Sequence, residues 1–213
     1  MKVVFAAHQE VVHVMIPKGY KPETESGGWL SSVTSIFSAE QPVTLDINLL
    51  ANQKVAAWGG SVVSAKAISA FMDLNFDVIS MNNATEAANS SLPIVSVGGI
   101  PYKPVQDILD KGNYLLVGLN AAAFTRNAPF YSQVSASYVV NGSLTDVETI
   151  GVRALVMGKS SRRPGGNEGM TNLSHCIEES VLDLADDPES SPVWQSIATL
   201  SASGVLPHWA MFE

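Results

Sequence analysis

The sequence of 213 residues is short of charge, short of cysteine and short of long apolar runs. Charged residues make up 15%, well under the roughly one quarter of an average globular protein, while apolar residues stand at 46%. A chain this apolar and this sparsely charged folds around a core and is not intrinsically disordered. The lone cysteine, Cys176, excludes an internal disulfide framework and a thiolate zinc site. No window approaches 18 uninterrupted apolar residues, so no membrane span is expected. The N-terminal run Val3–Ala7 ends at His8 and Glu10, too short for the apolar core of a signal peptide. A virion location if the protein is viral, and a cytoplasmic one otherwise, is the expectation.

Positive charge is the most telling absence. The 12 Lys+Arg and 20 Asp+Glu give a net charge of −8. All 12 basic residues lie at or before Arg163, where 12 acids balance them, so residues 1–163 are neutral. The remaining eight acids, from Glu168 to Glu213, carry the whole net charge. A polyanion with a neutral body is a poor nucleic-acid binder by bulk electrostatics. Sequence-specific nucleic-acid binding is therefore not expected, and the acidic segment has different partners from the body.

Hydrophobic patterning places the elements. Two β-rich stretches fall within residues 2–16, and Val43–Leu49 alternates apolar and polar as a half-buried strand does. Lys54–Trp58, Asp77–Met81, Pro93–Val97 and Tyr114–Leu119 read as strands. A helix is expected after Ser61 as its N-cap, with Ala67, Ile68, Phe71 and Met72 on one face, and another over Lys103–Lys111. Strands separated by helices of this length suggest parallel pairing. Residues 130–157 then form two long β-rich arms around Asn141-Gly142, a strong hairpin signal. Ser174 is the expected N-cap of an acidic helix with Ile177, Val181 and Leu184 inward. Ser191-Pro192 opens a last helix, and Val205–Phe212 is an apolar tail.

The expected fold is thus mixed, between α/β and α+β: a central sheet flanked by helices, a long β-hairpin at about 130–157, and a helical acidic C-terminal segment. Three regions follow: a mixed body over 1–157, a flexible basic glycine loop over 158–173, and an acidic helical segment with its apolar tail over 174–213.

No established catalytic signature is present. There is no G-x-S-x-G, H-E-x-x-H or C-x-x-C, and no cofactor fingerprint, so no enzyme activity and no cofactor are expected. His8 and His13 are five apart and face opposite sides of a strand. His175 with Glu178 or Glu179 supplies two ligand types on one helix face, short of a metal site. Two readings remain. In the first, the overlong hairpin, the basic loop and the apolar tail are completed by neighbouring molecules. That makes the chain a structural self-assembling subunit, such as a viral or phage tail or capsid protein, with copies of itself and other structural proteins as partners. Its contacts would include Lys159, Arg162 and Arg163 against Glu178, Glu179 and Asp183, with Leu206, Trp209 and Phe212 docking. In the alternative, a small α/β enzyme or binding protein holds a phosphorylated ligand at Gly59, Gly60, Ser61, Asn82, Gly98 and Gly99, turns after strands at one end of a sheet.

Overall fold

The computed structural model describes residues 2–20, 43–45, 47–120, 131–140, 142–159, 163–191, 194–195 and 197–198. It divides into two compact units, one of residues 11–151 and one of residues 1–10 with 152–213.

The larger unit is built on a mixed sheet. Its strands are β1 (Lys2–Pro17, which begins in the smaller unit), β2 (Val43–Leu45), β3 (Lys54–Trp58), β4 (Asp77–Met81), β5 (Ile94–Gly98) and β6 (Tyr114–Leu119). They lie in the order β2-β6-β1-β5-β3-β4. Pairing is parallel between β3 and β4, β3 and β5, and β2 and β6. Strand β1 runs antiparallel to both its neighbours, with Val11–Met15 against β5 and Val14–Pro17 against β6. The expected parallel pairing therefore holds on either side of one reversed strand. Every residue from Val11 to Pro17 is buried. Helices or strands cover both faces of such a strand, which is why this stretch reads as a continuous apolar run and not as an alternation.

Helices α1 (Ser61–Phe71), α2 (Ala84–Asn89) and α3 (Lys103–Asp110) follow β3, β4 and β5. Ala56, Trp58, Ile94, Val11 and Met15 share a core cluster with Ala87 of α2 and Val105, Ile108 and Leu109 of α3. The alternate residues Val55, Ala57 and Val95 are equally buried and point to the other side of the sheet, where α1 sets Ala65 and Ile68. Pro104 in the first turn of α3 and the left-handed Gly112 after its end match the punctuation of the sequence.

The same sheet has two further strands, β7 (Tyr131–Val140) and β8 (Ser143–Gly158, which runs on into the smaller unit), which pair with each other, and β8 also pairs with β1. Only two residues join them, and Gly142 takes a φ of +79°, as the Asn-Gly signal requires. In the smaller unit, α4 spans Glu168–Asp186. Val181 is buried, Ile177 and Leu184 are half-buried, and Glu178, Glu179, Asp183 and Asp186 are exposed, as the periodicity indicates.

Four expectations change. The stretch Val43–Leu49 is not one strand: β2 stops at Leu45 and Ile47–Leu50 form a 3-10 turn that buries Ile47 and Leu50. Apolar residues three apart satisfy that turn as well as alternation satisfies a strand. The two stretches of residues 2–16 are one strand. Helix α1 turns a different face inward, burying Ala65, Ile68 and Ser69 while Ala67 and Phe71 stay exposed, and Gly60 precedes Ser61 as its cap. Helix α4 starts at Glu168, seven residues early, so Ser174 is a buried mid-helix residue and not a cap. Of the last expected helix, residues 194–195 and 197–198 are helical and Ile197 is buried; Val193, Leu200 and the tail Val205–Phe212 lie outside the described residues.

A Cβ at Gly98 would stand 2.9 Å from the Tyr102 ring, whereas one at Gly60 meets nothing within 4 Å. Gly98→Ala is expected to lower unfolding free energy by about 1–3 kcal/mol through overpacking. Gly60→Ala should change it by no more than about 0.5 kcal/mol. Urea unfolding of the two variants checks the contrast.

Candidate functional site

The parallel strands give the sheet two ends of different character. At the carboxyl end, Ala56 is level with Ile94 and Trp58 with Met81, and Ser61 just past β3 reaches Val97 of β5, so the turns that follow β3, β4 and β5 lie side by side. The structure thus brings Gly59, Gly60, Ser61, Asn82, Gly98 and Gly99 to one edge, where α/β sheets bind ligands.

The polar groups there are already engaged. Gly59 turns the chain with a φ of +53°. The amides of Val62 and Val63 donate to the carbonyls of Gly59 and Gly60, which leaves few free donors at the start of α1. Ser61 is buried, and its hydroxyl accepts from the Val97 amide at 2.9 Å with Ser96 Oγ at 3.5 Å. It clips α1 to β5. Asn83 caps α2, its Oδ1 accepting from the Glu86 amide at 3.0 Å. Glu86 reaches back to accept from both the amide and the side chain of Asn82 at 2.7 Å. This is a capping box shifted by one residue. Gly98 is small because Tyr102 packs on it. Gly59, Ser61, Asn82 and Gly98, chosen for phosphate binding, thus have turning, clipping, capping or packing duties.

Beneath this edge lies a histidine whose buried role the sequence does not single out. His13 is 1% exposed, and its Nε2 is 2.7 Å from the Tyr138 hydroxyl. The Tyr102 ring stacks on it at 5.9 Å, and the Tyr138 ring meets it edge-on at 5.5 Å. Nδ1 has no hydrogen-bond partner among the described residues. Burial holds the imidazole down to about 4, the nearby Ser96 backbone offsetting a little of the effect. Burial likewise pushes the Tyr138 phenol up to about 12. Both groups are therefore neutral at pH 7, a locked polar contact in the core and not a poised acid and base.

The amino end of the sheet is different. Lys54 begins β3, Tyr114 begins β6, and Pro17 at the close of β1 lies opposite Tyr114. Between them opens a cleft of about 700 Å³. Lys18, Lys54, Asn89, Ser91 and Asn113 line it, and among the described residues no acid does. Tyr20 stands at its wall, its hydroxyl donating to Gln53 Oε1 at 3.2 Å. None of these residues was singled out in the sequence, because they come from four separate segments and no spacing links them.

In the smaller unit, Lys159 and Arg163 are exposed, as are Glu178, Glu179 and Asp183; Arg162, Leu206, Trp209 and Phe212 lie outside the described residues. Lys159 forms no ion pair among the described residues, and Glu178 lies 3.9 Å from His175. No group of three or more metal-binding side chains occurs among the described residues, and none of their helices is long and apolar enough to cross a membrane.

The buried His13 makes a pH prediction. Its folded value, about 4, lies below the ordinary 6.5, so the unfolded chain takes up the proton first. Its share of stability is complete above pH 6.5, is lost as the pH falls from 6.5 towards 4, and levels off below. The loss amounts to about 3 kcal/mol. Unfolding measured across this range should show that slope in the wild type and a slope smaller by that amount in His13→Gln. Comparison with protein-family models and with curated proteins finds no match to this sequence.

Proposed function

We propose that the protein is a structural subunit that assembles with copies of itself, as a tail or capsid component of a viral or phage particle does. The observation that carries this reading is the tip of the β7–β8 hairpin. Val139 and Leu144 each stand two residues from the turn, opposite one another on the two arms, and are 52% and 68% exposed. Farther along β8, Leu155 and Met157 are also exposed. An arm of 10 residues and one of 16 exceed the usual strand of about 5–6, and an apolar tip on so long a hairpin is costly in water unless another surface covers it.

The polar contacts along the hairpin support a stiff arm and not a loose loop. Ser137 donates to Asp146, and Gln133 donates to Glu148 at 2.5 Å. At its base Thr149 donates to the carbonyl of Val12 at 2.6 Å, tying the arm to the core strand. A preorganised arm loses little conformational freedom on docking, so more of the burial energy reaches the interface. Full burial of each tip side chain contributes about 1.5–3 kcal/mol before that cost. Exposed charges such as Glu178, Glu179 and Asp183 against Lys159 and Arg163 contribute about 0–1 kcal/mol per pair, enough to set orientation between copies but not to drive assembly.

Mass photometry at micromolar concentration tests the reading. Wild-type protein is expected as multimers, and Leu144→Glu as monomers with nearly unchanged unfolding temperature, because a side chain 68% exposed contributes little to the fold of one chain. A wild type that is monomeric throughout, or multimers unaltered in Leu144→Glu and in a chain lacking residues 205–213, would overturn it.

A further inference from the structure

The cleft at the amino end of the sheet combines features that the described carboxyl edge lacks. Among the described residues its lining carries Lys18 and Lys54 and no carboxylate, in a chain whose net charge is −8. Asp77, the register partner of Lys54 on β4, is not part of the lining and forms no ion pair with it. The side chains of Asn89, Ser91 and Asn113 are donors that turn to no partner within the chain among the described residues. At the carboxyl end, by contrast, Ser61, Asn82 and Asn83 are all engaged.

We infer that this cleft binds a phosphorylated small molecule. Two ammonium groups that line one cleft, with no carboxylate among the described residues there, repel one another, and an anion between them converts the repulsion into two charge-assisted contacts. The amide and hydroxyl donors beside them suit the remaining phosphate oxygens. Ala88 and Asn89, the last residues of α2, line the cleft, and of the carbonyls there that of Ala87 is engaged, accepting from the Ser90 amide and, at 2.7 Å, from the Ser90 hydroxyl. Tyr20, held by Gln53, and Leu92 give a wall for an uncharged ring or chain. The volume of about 700 Å³ falls within the range of pockets that enclose ligands of nucleotide size.

The position is unusual for a sheet of this kind, whose ligands belong at the carboxyl edge. Here that edge is closed by the Ser61 clip, the α2 capping box and the Tyr102–Gly98 packing. The reversed strand β1 brings the turn Lys18–Gly19 to the opposite end, where its amide joins Asn113 at 2.9 Å and positions Lys18 beside the cleft. A lysine thus arrives at the amino edge from a strand that no all-parallel sheet would contain.

Calorimetric titration of the full chain with inorganic pyrophosphate and with ADP tests the inference. At least one of the two is expected to bind, with affinity falling as salt rises. Lys18→Ala and Lys54→Ala should each weaken binding about tenfold or more, the effect of losing one charge-assisted contact. The control pair Lys103→Ala and Lys159→Ala, both outside the cleft, should leave it unchanged. All four lysines are exposed, so unfolding temperatures without ligand should stay together. Absence of binding by either probe at millimolar concentration would overturn the inference, as would equal affinity in the wild type and the Lys18→Ala/Lys54→Ala double variant.

Discussion

The larger unit depends on the insertion of one antiparallel strand into a parallel sheet. Strand β1 is hydrogen-bonded to β5 on one side and β6 on the other, and residues 11–17 are buried without exception. Without it the parallel pairs β2–β6 and β5–β3–β4 would be two separate ribbons, each with an exposed edge. The same strand anchors the hairpin, through the Thr149 hydroxyl on the Val12 carbonyl and the Tyr138 hydroxyl against His13. His13 is the one ionisable residue in this buried run, and it is tolerated because two tyrosine rings and one hydrogen bond replace its water.

This arrangement also sorts the two ends of the sheet. Short crossovers from β3 and β4 end in turns whose donors cap helices and clip strands, so the carboxyl edge is spent on holding the fold together. The amino edge receives the end of β1 and retains unengaged cations and amides. Ligand binding there and assembly through the hairpin call on different residues. Neither requires the other.

Much of the fold was legible because its signals are local. The apolar runs of β3, β5 and β6, the Pro104 and Gly112 punctuation of α3, and the Asn-Gly turn each fix their element within a few residues. The failures came where a pattern fits two periods or where a residue has a distant partner. Ile47 and Leu50 satisfy a 3-10 turn as well as a strand, and Ser61 and Ser174 look like caps until their burial is seen. The turns after β3, β4 and β5 lie at one edge, as their place after the strands implies, but their hydrogen bonds to Val97 and Glu86 are not written in glycine spacing. The lysine cleft was not legible, since Lys18 and Lys54 meet only through the reversal of β1.

The functional account rests on apolar surface that one chain leaves uncovered. Besides the hairpin tip, Leu173 and Leu182 of α4 are exposed on a helix whose other outward residues are largely acidic. Apolar positions framed by charge of one sign combine a source of binding energy with a device for choosing orientation. Negative-stain electron microscopy of the purified full chain tests this most directly. The account predicts repeating assemblies, rings, tubes or shells, built from many 22.6 kDa subunits. Fields that hold no particle larger than a single subunit, at concentrations where the protein remains folded, would contradict it.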